Sequence, residues 1–220
     1  MTDRWATFDC YGTLIDWDRG VHAALALVWP DEDAERLFSR YHEAERRAQA
    51  GRDVAYRQVL RETLAAIAEV EELEVPPGRE DALAASLPSW PPFPEVAGSL
   101  ADLRDAGWRI GILSNTDPDL LASSLQAIGV EVDVRVTAAE ARAYKPVFAH
   151  WDTFFRTTTA DRGRHVHVAA SLHHDVEPCA KLGLPCVWVN RLGGSSELPR
   201  AGELRSLDGL ATTLDALVPG

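Results

Sequence analysis

The hydrophobic pattern of the chain has one rhythm before about residue 90 and another after it. The short apolar run Trp5-Ala6-Thr7-Phe8 marks a strand over about 4–9. Then apolar positions fall at helical spacing. Val21, Leu25 and Val28 share one helix face. Asp31 is expected to cap a helix running to Ala50, with Leu37, Tyr41 and Ala44 on one side. Val59, Leu60, Leu64 and Ile67 mark a third helix, stopped at Pro76-Pro77-Gly78, and a short helix is expected over 80–87. Pro88, Pro91, Pro92 and Pro94 then form a proline-rich hinge.

Beyond the hinge, helical and strand-like segments alternate. Helices are expected over 96–106, 118–128, 146–156, 177–182 and 207–217, with strands over 108–114, 132–136, 165–170 and 187–190. This alternation predicts an α/β fold with a doubly wound parallel sheet. The core is split in sequence. Residues 1–14 and 94–220 are expected to form the α/β domain, and residues 15–93 an all-helical insert. An insert after the first strand lies over the carboxyl ends of the strands, where it works as a lid.

Composition narrows the setting without naming a reaction. The 220 residues suffice for one good core and a small second domain. With 22 basic and 34 acidic residues the net charge is −12, which does not suggest a nucleic-acid or anionic-membrane partner. Cys10, Cys179 and Cys186 make no disulfide framework and fit a reducing cytosol, so a cytoplasmic location is expected. Met1-Thr2-Asp3-Arg4 leads straight into a strand, with no visible signal peptide, and no apolar run is long enough to span a bilayer.

The chemistry-bearing residues fall at predicted strand ends. Asp9 opens the run Asp9-Cys10-Tyr11-Gly12-Thr13, and a carboxylate held there can act as a nucleophile. Strand alternation points Cys10 away from that site. Ser114-Asn115 closes the second core strand. Its hydroxyl and amide can hydrogen-bond an anion or the nucleophile, and the same run can also cap a helix. Tyr144-Lys145-Pro146 follows the third strand, and Ala170-Ser171-Leu172-His173-His174-Asp175 the fourth.

Together these motifs resemble those of the haloacid dehalogenase superfamily, over nearly the whole chain. The superfamily's phosphatases carry a second Asp two residues after the nucleophile and a Gly-Asp-x-x-x-Asp run that holds Mg²⁺. Tyr11 and Ser171 stand at two of those acidic positions here. A Tyr in the first of them is similar to the type II L-2-haloacid dehalogenases. The resemblance implies a Rossmannoid core with an inserted helical cap. It also implies a metal-independent, cofactor-free hydrolase that displaces halide from a small anionic 2-haloacid through an Asp9 ester, giving a 2-hydroxy acid. Lys145 would keep Asp9 ionised, and Asp175 would activate the hydrolytic water. Arg40, 31 positions after Asp9, would clamp the substrate carboxylate, with Arg46, Arg47, Arg52 and Arg57 as competitors. Tyr11, Thr13, Ser114, Asn115, Trp151 and Ser171 would complete the substrate site; Trp17 is a further wall candidate.

Two departures from the dehalogenase pattern stand out: Ala170 replaces a Ser, and Leu172 replaces the Asn that helps position water. Two other readings stay open, a Mg²⁺-dependent phosphatase for a small phosphate ester and a non-catalytic binding module. The oligomeric state is not fixed; a homodimer is compatible.

Overall fold

The computed structural model describes residues 3–220. Six parallel strands form one sheet: β1 (Arg4–Phe8), β2 (Trp108–Ser114), β3 (Val134–Thr137), β4 (His165–Ala169), β5 (Cys186–Val189) and β6 (Gly202–Leu204). Their order is β3-β2-β1-β4-β5-β6. The chain winds outward from β1 through β2 to β3, then crosses to β4 on the other side of β1. The direction reverses between β1 and β4, where an open parallel sheet leaves a crevice at its carboxyl ends. Phe8 pairs with Ile112 on one side and Val168 on the other, so Asp9 emerges in that crevice.

Every residue of β1 and β4 is buried, as expected of strands covered on both faces. Gly111 in β2 shows how tight the covering is. A Cβ there would lie 3.1 Å from Thr7 and Val134 and 3.3 Å from Phe154.

Between β1 and β2 lie α1 (Trp17–Val28), α2 (Ala34–Gln49), α3 (Tyr56–Val70), α4 (Ala82–Ser86) and α5 (Val96–Asp105). The faces expected to be apolar are buried: Val21, Leu25 and Val28 on α1, Leu37 and Tyr41 on α2, and Val59, Leu60, Leu64 and Ile67 on α3. Gly20 on α1 admits Trp90, whose ring would sit 2.3 Å from a Cβ. The two passages between these helices and the sheet run side by side. The Asp16 N–H donates to Pro91 O at 2.8 Å, and the Phe93 N–H to Leu14 O at 3.0 Å.

Several boundaries differ from expectation. Asp33, not Asp31, caps α2, because its carboxylate accepts the Glu35 and Arg36 N–H groups. The third helix ends at Val70, before the prolines. Glu72 turns left-handed (φ 55°), and the Leu73 N–H returns to Ala68 O at 2.8 Å.

After β2 come α6 (Pro118–Ile128), α7 (Ala138–Ala141), α8 (Ala149–Thr158), α9 (Glu177–Leu182) and α10 (Leu210–Leu217). The one-turn α7, closed by a Thr137–Glu140 capping box, and the three-residue β6 were not expected; both are too short to show a period. A π-helical turn, Leu172–Val176, leads from the end of β4 into α9. No helix among the described residues is long and apolar enough to cross a membrane.

Candidate active site

Strand β2 and the segments after β1, β3 and β4 converge on one buried ammonium. Lys145 Nζ donates to Asp9 Oδ1 at 2.8 Å, Leu113 O at 2.8 Å and Asp175 Oδ1 at 2.7 Å. An ammonium has three donors, and all three are used. The backbone of Lys145 is clasped by Asn115: its Oδ1 accepts the Lys145 N–H at 2.6 Å, and its Nδ2 donates to Lys145 O at 3.0 Å. The other oxygen of Asp9, Oδ2, accepts from Thr13 Oγ1 at 3.0 Å. Thr13 Oγ1 in turn accepts the Ala170 N–H at 2.9 Å, tying the β1 loop to the β4 loop.

Asp175 is fully buried behind Lys145. Its Oδ1 also accepts from His167 Nε2 at 3.0 Å, while Oδ2 has no partner among the described residues. With His167 donating through Nε2, its Nδ1 accepts from Thr7 Oγ1 at 2.8 Å, and Thr7 accepts from His165 Nε2 at 2.8 Å. The bare Nδ1 of His165 is buried without a partner among the described residues, which completes one consistent polarity along this relay.

These contacts set the ionisation of the site. Burial raises the Asp9 carboxyl above its usual range; Lys145 and Thr13 oppose this and the Asp175 charge adds to it. Burial would also raise Asp175, but the Lys145 charge and the His167 hydrogen bond outweigh it and hold Asp175 well below the usual range. Burial alone would lower Lys145, yet its two carboxylates keep it protonated far above its ordinary value. Burial lowers His174 to about 4, so its imidazole is neutral near pH 7.

A cavity of about 850 Å³ opens between the strand ends and the helices α1 to α3. Asp9, Tyr11, Ser114, Asn115, Lys145 and Ser171 line its sheet side. The Ser114 hydroxyl is buried and has no partner among the described residues. The Tyr11 hydroxyl shares a hydrogen bond of 3.0 Å with Ser124, and the Ser171 hydroxyl accepts the His174 N–H at 3.0 Å, capping the π-helical turn. Trp17 lines the helical side. Thr13 and Asp175 stand one layer behind the wall.

Two expected residues lie elsewhere. Arg40 is exposed and donates through Nε to Glu71 at 2.7 Å, on the face it shares with Arg36, which binds the same carboxylate at 2.6 Å. The inward face of α2 carries Tyr41, Glu45 and Gln49, and Arg40 falls beside it. Arg46 does line the cavity. Its Nε donates to His42 O at 3.2 Å, and among the described residues its guanidinium has no carboxylate partner. Arg47, Arg52 and Arg57 are engaged by Glu43, Glu62 and Asp119. Trp151 is fully buried in the layer with Leu113, Phe154 and Val176, edge-on to His167 at 5.4 Å, rather than at the cavity wall. Cys10 is buried in the core.

Sequence reasoning did not single out Arg191, Glu45 or His167. Arg191 lines the cavity, lies 3.6 Å over the Phe93 ring, and binds Glu95 at 2.8 Å and Thr13 O at 2.7 Å. No local motif marked it, because its partners come from the first loop and the hinge.

Fold and site thus define a doubly wound α/β core in which a lysine bridges two aspartates at the carboxyl ends of the strands, under a helical insert. The model of the haloacid dehalogenase-like hydrolase family matches residues 4–152, and the chain belongs to that family. It is similar to haloacetate dehalogenase H-2 of Moraxella sp. (strain B), 26% identical over 198 residues, covering 84% of this chain and 85% of that protein. It is also similar to (S)-2-haloacid dehalogenase 4A of Burkholderia cepacia, 26% identical over 212 residues, covering 88% and 86%. Among solved structures, the L-2-haloacid dehalogenase of Xanthobacter autotrophicus with chloropropionic acid covalently bound shares the fold. The TM-score is 0.83 at 20% identity, over 96% of this chain and 97% of that one.

Proposed function

We propose that the chain is a metal-independent hydrolase that displaces halide from a small 2-haloacid and releases a 2-hydroxy acid. The observation that carries this reading is the setting of Asp9 at the cavity wall, one oxygen on Lys145 and the other on Thr13. Both dehalogenase relatives support it.

An oxygen of Asp9 attacks the carbon bearing the halogen. The carbon–halogen bond breaks, the halide leaves with the electron pair, and an ester forms with inversion at carbon. Water then attacks the ester carbonyl of Asp9. The unpartnered Oδ2 of Asp175 takes the water proton and returns it to the substrate oxygen as the bond from the Asp9 carbonyl to that oxygen breaks, so the 2-hydroxy acid leaves; the restored Asp9 carboxyl then loses its proton to solvent. Lys145, with three fixed donors, stabilises charge on the Asp9 carboxyl in both steps. Residues 15–93 act as the lid that excludes water. The carboxylate clamp passes from Arg40 to Arg46, whose planar fork suits a carboxylate and has no carboxylate partner among the described residues. Ser114, with its free hydroxyl, and Tyr11 line the substrate space; Asn115 and Ser171 shape the loops around it.

The phosphatase reading needs Mg²⁺ between Asp9 and Asp175, and the residues do not fit it. Lys145 Nζ bridges those carboxylates, Tyr11 and Ser171 supply no third one, and no group of three or more His, Cys, Asp or Glu among the described residues is placed to hold a metal. The three cysteines are buried and unpaired, which supports a reducing, cytoplasmic setting. The test is a panel of 2-haloacids and phosphate esters, each with Mg²⁺ and with EDTA. Halide release unaffected by EDTA supports the reading; phosphate release that requires Mg²⁺ overturns it.

A further inference from the structure

The cavity is larger and more polar on its helical side than displacement at a two- or three-carbon acid requires. Its volume of about 850 Å³ lies within the range of roughly 300–1,000 Å³ that encloses drug-sized ligands.

Glu45 and Gln49 stand one turn apart on α2, so they share a face, and both line the cavity. They are only 8% and 6% exposed. Glu45 Oε1 accepts two hydrogen bonds, from Tyr41 Oη at 3.2 Å and from Tyr56 Oη at 2.5 Å. Its Oε2 makes none. The Gln49 carboxamide has no hydrogen-bond partner among the described residues, although the residue is more than nine-tenths buried. These atoms keep contact with the cavity, because neither is among the fully buried side-chain atoms that lack a partner. Here they are aimed together into a cavity that already holds the reacting carboxylate.

Resting on the dehalogenase reading above, we propose that Gln49 and Glu45 form a subsite for a distal, uncharged carboxamide on the 2-haloacid. A carboxamide offers both a donor and an acceptor, and so does Gln49, so the two can pair reciprocally. Glu45 Oε2 reaches the same group from one turn away and pairs with it in either protonation state. The two tyrosine hydroxyls fix which oxygen of Glu45 is free. Burial raises the Glu45 carboxyl above its usual range, which favours a neutral partner over an ammonium.

The test compares three substrates of matched length: 4-carbamoyl-2-chlorobutanoate, 2-chloro-5-methylhexanoate and 5-amino-2-chloropentanoate. Halide release from any of them reports the hydrolase reading; their ranking reports the subsite. We expect kcat/KM for the carboxamide to exceed that for the branched alkyl isostere by about tenfold or more. Gln49→Leu, checked for an unchanged circular dichroism spectrum, should reduce that ratio to near one. Equal rates, a preference for the alkyl substrate, or a preference for the ammonium substrate would overturn the subsite. If none releases halide, the hydrolase reading fails. Calorimetry with the matching carboxamide and alkyl 2-hydroxy acids then decides the subsite separately: tighter carboxamide binding that Gln49→Leu abolishes supports it, and equal binding overturns it.

Discussion

Lys145 donates to Asp9 Oδ1 at 2.8 Å while its other two hydrogens are held by Asp175 and Leu113 O. One cation thus serves two carboxylates, and the two are not equivalent. The folded state favours the neutral form of Asp9, whose carboxyl is raised, and the ionised form of Asp175, which is depressed.

Opposite effects on stability follow. The contribution of Asp9 is present at low pH and lost as pH rises through its folded value. The contribution of Asp175 is present above its unfolded value, about 3.9, and lost as pH falls towards its lower folded value. At neutral pH, Asp9→Asn should abolish halide release and leave the melting temperature unchanged or higher. Asp175→Asn should lower stability by roughly 3 kcal/mol, the order expected for breaking a buried pair. Thermal unfolding of both variants checks this; equal destabilisation would count against the asymmetry.

The same ionisations shape the pH profile. Asp9 must be ionised to attack, so kcat/KM should fall on the acid side, at a pH above the ordinary carboxylate range. His174, lowered to about 4, is neutral throughout, and Lys145 stays protonated well beyond its usual range. Above its acid limb the profile should therefore stay flat to about pH 9. Halide release across that interval checks it, and an alkaline limb there would contradict it.

Arg46 and Arg40 give a paired test. Arg46→Lys keeps the charge but loses the fork, and activity on 2-haloacids should fall about tenfold or more, equivalent to about 1.4 kcal/mol. Arg40→Lys alters a half-exposed guanidinium paired with the buried Glu71 carboxylate, away from the cavity, and should leave kcat/KM within about twofold. Steady-state kinetics of both variants would reassign the clamp if the order were reversed.

Leu172 lines the cavity with an alkyl side chain where the dehalogenase pattern has a water-positioning amide. Ester formation does not use that amide, but hydrolysis does. Rapid mixing should show a burst of halide followed by slower turnover, and Leu172→Asn should speed the slow phase. A wild-type trace without a burst would argue that another group, such as neutral His174, already positions the water.

Much of the fold could be read from the sequence because strands and helices alternate with clear periods beyond the hinge. Asp9, Ser114 and Lys145 were readable for a related reason: each follows a strand end in a short local motif. Arg40 misled because counting from Asp9 ignores which face of α2 points inward, and the repeat of Tyr41, Glu45 and Gln49 carries that information. Trp151 was placed by spacing from Lys145, but it shares the buried face of α8 with Phe154. The Thr7–His167 bond depends on the β1–β4 register, which no local pattern encodes.

The central claim is that Asp9, not water, attacks the substrate carbon. With enzyme in excess over 2-haloacid in ¹⁸O-water, one turnover should give a 2-hydroxy acid whose new hydroxyl carries ordinary oxygen, with the label in the peptide that contains Asp9. Label in the product hydroxyl after that single turnover would mean direct attack by water, and would contradict the covalent path.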